Sequence, residues 1–149
     1  MNITIQNEHA SVTCRTLGAE LLSYQAASGK EYLWQKDPAY WPKTSPVLFP
    51  YIGPVPQPVI IHGKTFDMPR HGFVKDADFQ VAQQDNDHVV LTTGTTAFTS
   101  SVYPFDFTFT VTFRLEGPRL CVIYGVTNKG EEEMPFLVGG HPAFFCPME

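Results

Sequence analysis

The chain has 149 residues, of which 43% are hydrophobic and 17% charged, a globular balance in which a chain of this size buries roughly two thirds of its unfolded surface. A formal net charge of -5, with only ten Lys and Arg, leaves no basic stripe of the kind that phosphate backbones require, so nucleic acid is not an expected partner. One domain over residues 1–149 is the expectation.

Met1 leads into Asn2-Ile-Thr-Ile-Gln6 without a basic or an apolar leader, and no window is long enough to span a membrane, so a cytoplasmic protein without membrane contact is expected. Short strands are predicted at 2–6, 11–14, 21–25 and 31–34, each bounded by Gly, Ser or charged turn residues. Residues 38–69 hold eight of the thirteen prolines, and Pro54-Val-Pro-Gln-Pro58 is too proline-dense for an interior strand. This stretch reads as a long ordered loop, interrupted by a small hairpin of 59–61 and 64–66 about His62-Gly63. A second hairpin pairs 78–82 with 88–93 across the polar turn 84–87.

The clearest pattern is Phe105-Asp-Phe-Thr-Phe-Thr-Val-Thr-Phe-Arg-Leu115, where every odd position is apolar and every even one polar. That is a strand with one wet face. After the break at Glu116-Gly-Pro118, residues 120–127 resume as its antiparallel partner. Helical periodicity is absent, and Glu131-Glu-Glu133 reads as a solvated turn. Strands so spaced, without amphipathic helices between them, predict an all-β antiparallel sandwich.

Cys14, Cys121 and Cys146 are odd in number and widely spaced, which suggests three free thiols rather than a disulfide framework or a metal site. No G-x-S-x-G, P-loop or G-x-G-x-x-G occurs, so acyl transfer and nucleotide chemistry lack support. Two histidines stand out. His71 lies in Met68-Pro-Arg-His-Gly-Phe73, on a loop beside Arg70, and its segment reads equally as a functional imidazole or as a surface or capping histidine. His141 lies in Gly139-Gly-His-Pro-Ala-Phe-Phe145, where glycines allow close backbone approach and Phe144 can offer a ring face to a sugar. Its competing reading is a core histidine at a strand end. No third ligand, H-x-H or H-E-x-x-H accompanies the pair, so no metal is expected. His9, His62 and His88 read as surface histidines.

In chain order, Ser45-Pro-Val-Leu-Phe-Pro-Tyr-Ile-Gly53, Met68-Pro-Arg-His-Gly-Phe73 with Asp76 behind it, and Gly139-Gly-His-Pro-Ala-Phe144 resemble the aldose 1-epimerase (galactose mutarotase) family, in its LacX-like branch. Gly18-Ala-Glu20 ahead of Glu31-Tyr-Leu-Trp34 resembles that family's opening. The likeness covers nearly the whole chain but only the N-terminal half of a family member. It implies part of a β-supersandwich and the interconversion of α and β anomers of a free aldose, without a cofactor. By resemblance His141 is the acid at the ring oxygen and His71 steadies that oxygen, while Arg70, Lys75 and Phe144 contact the sugar. Histidine suits such work because its ordinary pKa, about 6.5, lies near working pH.

The family's general base is a glutamate far toward the C-terminus, preceded by a sugar-binding aspartate, and neither Glu149 nor Glu131–Glu133 matches them. The chain alone is therefore expected to be a weak catalyst or none. Pro54 and Lys75 stand where LacX-like proteins carry arginine. Lysine lacks the planar fork of arginine, which favours a free sugar over a phosphorylated one. A carbohydrate-binding module without turnover is the alternative reading. Half a supersandwich exposes strand edges and apolar faces, so a homo-oligomer that covers them is expected.

Overall fold

The computed structural model describes residues 1–55 and 58–146. Strands β1 (Asn2–Gln6), β2 (Ala10–Arg15) and β3 (Leu21–Ala26) form a three-stranded antiparallel sheet in that order. Alternation along β1 and β2 turns Ile3, Ile5, Val12 and Cys14 into the core. Within the proline-rich stretch lie β4 (Val47–Leu48), β5 (Val59–Ile61) and β6 (Lys64–Phe66), the last two forming the expected hairpin about His62-Gly63. Pro56 and Gln57 of the proline-dense segment, and Glu149, lie outside the described residues.

A larger sheet follows, built from β7 (Gln80–Gln84), β8 (His88–Gly94), β9 (Phe107–Glu116) and β10 (Arg119–Asn128), with spatial order β10-β9-β8-β7. The odd residues of β9 from Phe107 to Leu115 are all buried, as the alternation predicts. They meet the inward residues of the first sheet in one apolar cluster centred on Phe49, whose ring lies 4.8 Å from Phe109 and 5.2 Å from Phe107. The architecture is all-β and antiparallel. Strand β11 (Gly139–Gly140) pairs with β4.

Three local expectations are corrected. Residues 31–34 make only isolated bridges, Glu31 to Gln25 and Leu33 to Phe144. The Glu31 carboxylate accepts the N–H groups of Tyr24, Tyr32 and Leu33, taking donors that a ladder would need. The strand expected at 78–82 begins two residues later, at Gln80, because Asp78 bridges Leu17 and the Phe79 N–H donates to the Thr16 carbonyl. A helix that periodicity could not show, α1 (Ala97–Val102), is six residues long and starts on a capping box between Thr96 and Thr99. The expected partner strand β10 pairs with β9 antiparallel along its whole length, yet none of its residues is buried, and Val122 and Ile123 are exposed. It is the edge of its sheet.

The three cysteines are free, and burial pushes the Cys14 thiol up to about 12. Among the described residues no helix is long and apolar enough to cross a membrane.

Candidate functional site

The loop holding His71 is fixed from below by Phe49. The Phe49 carbonyl accepts the N–H of Phe73 at 3.0 Å and of Val74 at 3.3 Å, and Phe49 bridges Gly72. Gly72 takes a φ of +70°, and a Cβ there would lie 2.0 Å from the Phe49 carbonyl oxygen. Only glycine lets the two backbones approach so closely. His71 itself has a positive φ of 64°, a conformation uncommon outside glycine and one that marks a position worth functional attention.

Two hydrogen bonds tie His71 to Gly53: the His71 N–H donates to the Gly53 carbonyl at 3.1 Å, and the Gly53 N–H donates to His71 Nδ1 at 2.9 Å. Because Nδ1 accepts, the neutral ring carries its proton on Nε2. Partial burial, and then the positive charges of Arg70, His141, Lys75 and Lys43, hold the His71 pKa below its ordinary value. A ring so held is a hydrogen-bond donor more than a proton carrier.

His141 comes from the other direction. Gly139 and Gly140 pair with Leu48 and Val47, the His141 N–H donates to the Pro46 carbonyl, and the Ala143 N–H donates to that of Thr44. The segment thus lies along 44–48 and presents His141 to His71, with ring centroids 6.4 Å apart and planes at 70°. The Trp41 ring packs on the imidazole of His141 at 5.1 Å. Together with Lys43, Arg70 and Lys75 these side chains line a cavity of about 280 Å³, floored by Pro46 and Leu48. The Lys75 ammonium donates to the Gly72 carbonyl at 2.8 Å and pairs with Asp76 at 2.7 Å, so its charge is largely met within the loop.

Four of the five residues singled out in the sequence, Arg70, His71, Lys75 and His141, share this cavity. Phe144 does not. The segment after Gly139 is extended, so successive side chains point to opposite faces. Phe144 falls on the side of Gly140 and Pro142, at a separate apolar cavity of about 420 Å³ between the sheets, and also at an aromatic cleft with Trp41. Trp41 and Lys43 were not legible as site residues because they come from irregular chain. Their placement depends on Glu20, a buried carboxylate that accepts the Thr44 N–H at 2.9 Å, the Thr44 hydroxyl at 2.8 Å and the Ser45 N–H at 3.3 Å, and pairs with Arg15. Burial opposes its charge, but the Thr44 donors, Arg15 and Lys36 outweigh that and hold its pKa below the ordinary value. Among the described residues no group of three or more His, Cys, Asp or Glu side chains is arranged to hold a metal ion.

Comparison with known proteins identifies the family. The sequence matches the aldose 1-epimerase family over residues 1–149, and the chain belongs to that family. It is 35% identical to the chromosomal protein LacX of Lactococcus lactis subsp. lactis over 99% of its own length and 52% of that protein's. A galactose mutarotase related enzyme from Lactobacillus acidophilus superposes with a TM-score of 0.96 at 36% identity, over 100% of this chain and 50% of that one. A galactose mutarotase-like protein from Lactobacillus casei does so with a TM-score of 0.96 at 37% identity, over 100% of this chain and 51% of that one. The chain therefore spans about half the length of the relatives it matches.

Proposed function

We propose that the His71–His141 cavity binds the ring of a free aldose and assists exchange of its anomers by acid–base chemistry. His141 hands a proton to the ring oxygen as the bond from that oxygen to the anomeric carbon breaks. The anomeric hydroxyl gives up its proton to solvent, the open aldehyde turns, and the bond reforms on the other face as His141 recovers its proton and the carbonyl oxygen regains one from solvent. His71 donates its Nε2–H toward the same oxygen and steadies the charge that develops there. The observation that carries this reading is the convergence of the two histidines of two separate motifs in one cavity, with His71 held in its donor form by Gly53.

Among the described residues no carboxylate lines the cavity, so the anomeric proton passes to solvent. This favours low turnover, and it supports a second reading in which the site holds a sugar without turning it over. General acid–base assistance is worth roughly a hundred- to ten-thousand-fold, and the acid side alone is expected to give a rate near the bottom of that range or below it. Polarimetry of fresh α-glucose and α-galactose tests this. The expected result is a small acceleration lost in the His71→Ala, His141→Ala double variant, whereas acceleration that persists in that variant overturns the assignment. Sugar binding without acceleration selects the second reading.

The open edge of β10, with Val122 and Ile123 exposed, supports the further proposal that a second copy pairs along it. A single species of monomer mass in sedimentation velocity overturns that part.

A further inference from the structure

Beside the histidine cavity, and sharing Trp41 with it as a common wall, lies an open cleft of about 450 Å³ lined by Trp34, Tyr40, Trp41, Ala143 and Phe144. Four of these five residues are aromatic, and the two tryptophans are tied to their neighbours. The Trp34 indole N–H donates to the Trp41 carbonyl at 2.8 Å, and the Trp34 ring meets Tyr40 edge-on at 6.1 Å and Phe145 at 5.7 Å. Tyr40 is 81% and Phe144 57% exposed, so aromatic ring surface beside the tryptophans faces water.

The chemistry of this cleft differs from that of the cavity next to it. Lys43, Arg70 and Lys75 line the cavity, whereas among the described residues no charged side chain lines the cleft. A neutral ligand with an apolar face and a polar rim fits such a place, and a pyranose ring, with C–H groups on its faces and hydroxyls at its edge, is one. Trp41 packs on His141 while also walling the cleft. A ring seated there would be next to one seated at the histidines.

We infer that the cleft is a subsite for the second pyranose of a reducing disaccharide or longer oligosaccharide, whose reducing ring occupies the histidine cavity. The inference rests on the reading of that cavity as an aldose site. It also restores a sugar contact to Phe144, through the second ring and not the first.

The test titrates the chain with glucose and with cellobiose, lactose and maltose, all of which share glucose as the reducing ring. Calorimetry gives the affinities. Tryptophan emission reports occupancy, because Trp34 lines the cleft and Trp41 walls both cleft and cavity, and the Tyr40 variants report the place. At least one disaccharide is expected to bind about tenfold more tightly than glucose, the ratio that one aromatic contact supplies. Tyr40→Ala, at a largely exposed position, is expected to bring that ratio close to one without changing the glucose affinity, and Tyr40→Phe to preserve it. Disaccharides that bind no more tightly than glucose, or an advantage that survives Tyr40→Ala, overturn the subsite. A disaccharide that binds in a Tyr40-dependent way while glucose does not bind keeps the subsite and overturns the reading of the histidine cavity.

Discussion

Replacing Gly72 by alanine is expected to cost about 4 kcal/mol or more of stability and to dismantle the histidine cavity. Two penalties combine at this position. An L residue held at a φ of +70° costs roughly 1–2 kcal/mol, and the new Cβ would stand 2.0 Å from the Phe49 oxygen and 2.3 Å from its carbonyl carbon, so backbone must move. What must move is the contact that also holds the Phe73 and Val74 N–H groups and sets His71 beside Gly53. Gly63 supplies the control. Its φ is +73° but nothing lies within 4 Å of the position a Cβ would take, so Gly63→Ala should show only the backbone cost, roughly 1–2 kcal/mol. Urea unfolding of the two variants measures the difference, and equal losses would show that the approach to Phe49 does not matter.

The second large effect is expected at Glu20. Glu20→Ala leaves the Thr44 N–H and the Arg15 guanidinium without their shared acceptor, while the Thr44 hydroxyl keeps the Leu21 carbonyl, a loss of about 3 kcal/mol, the lower end for a broken buried pair because the Arg15 side chain is 34% exposed. Glu20→Gln should fall between this variant and the parent. It retains an oxygen for Thr44 but sets an amide N–H₂ against the donors of Arg15. The pH dependence has a definite sign. The carboxyl's pKa is lowered by folding, so its contribution is complete above its unfolded value and is lost as pH falls through the folded one. Acid unfolding of the parent should therefore be steeper than that of Glu20→Gln. If both lose stability equally between neutral pH and pH values near the folded pKa, Glu20 is not the group responsible.

The two predictions also show where sequence and structure part. The alternation of residues 105–115 announces β9 because one face of that strand meets water and the other the core, and the structure keeps both faces. No such contrast marks β10. Leu120 and Val126 pack partly buried against the core while Val122 and Ile123 are exposed, at the strand that ends its sheet. The histidines were legible because each sits in a short motif whose glycines have a local geometric purpose, as Gly72 shows. Trp41 and Lys43 were not. They reach the cavity through hydrogen bonds between Glu20 and Thr44, side chains separated by 24 residues, in a stretch with no period to read. Phe144 lines the neighbouring cleft and not the histidine cavity, a separation that its closeness in sequence to His141 does not reveal.

The most direct measurement of the central claim follows the imidazole nitrogens of His71 and His141 by ¹⁵N NMR near neutral pH, before and after addition of glucose or galactose. His71 is expected to show an unprotonated Nδ1 and a proton on Nε2, as the Gly53 N–H requires. Sugar is then expected to shift Nε2 of His71 and the ring of His141 together, with His9 and His88 unmoved. A folded chain in which neither imidazole responds to any aldose, or in which His71 carries its proton on Nδ1, would contradict the account.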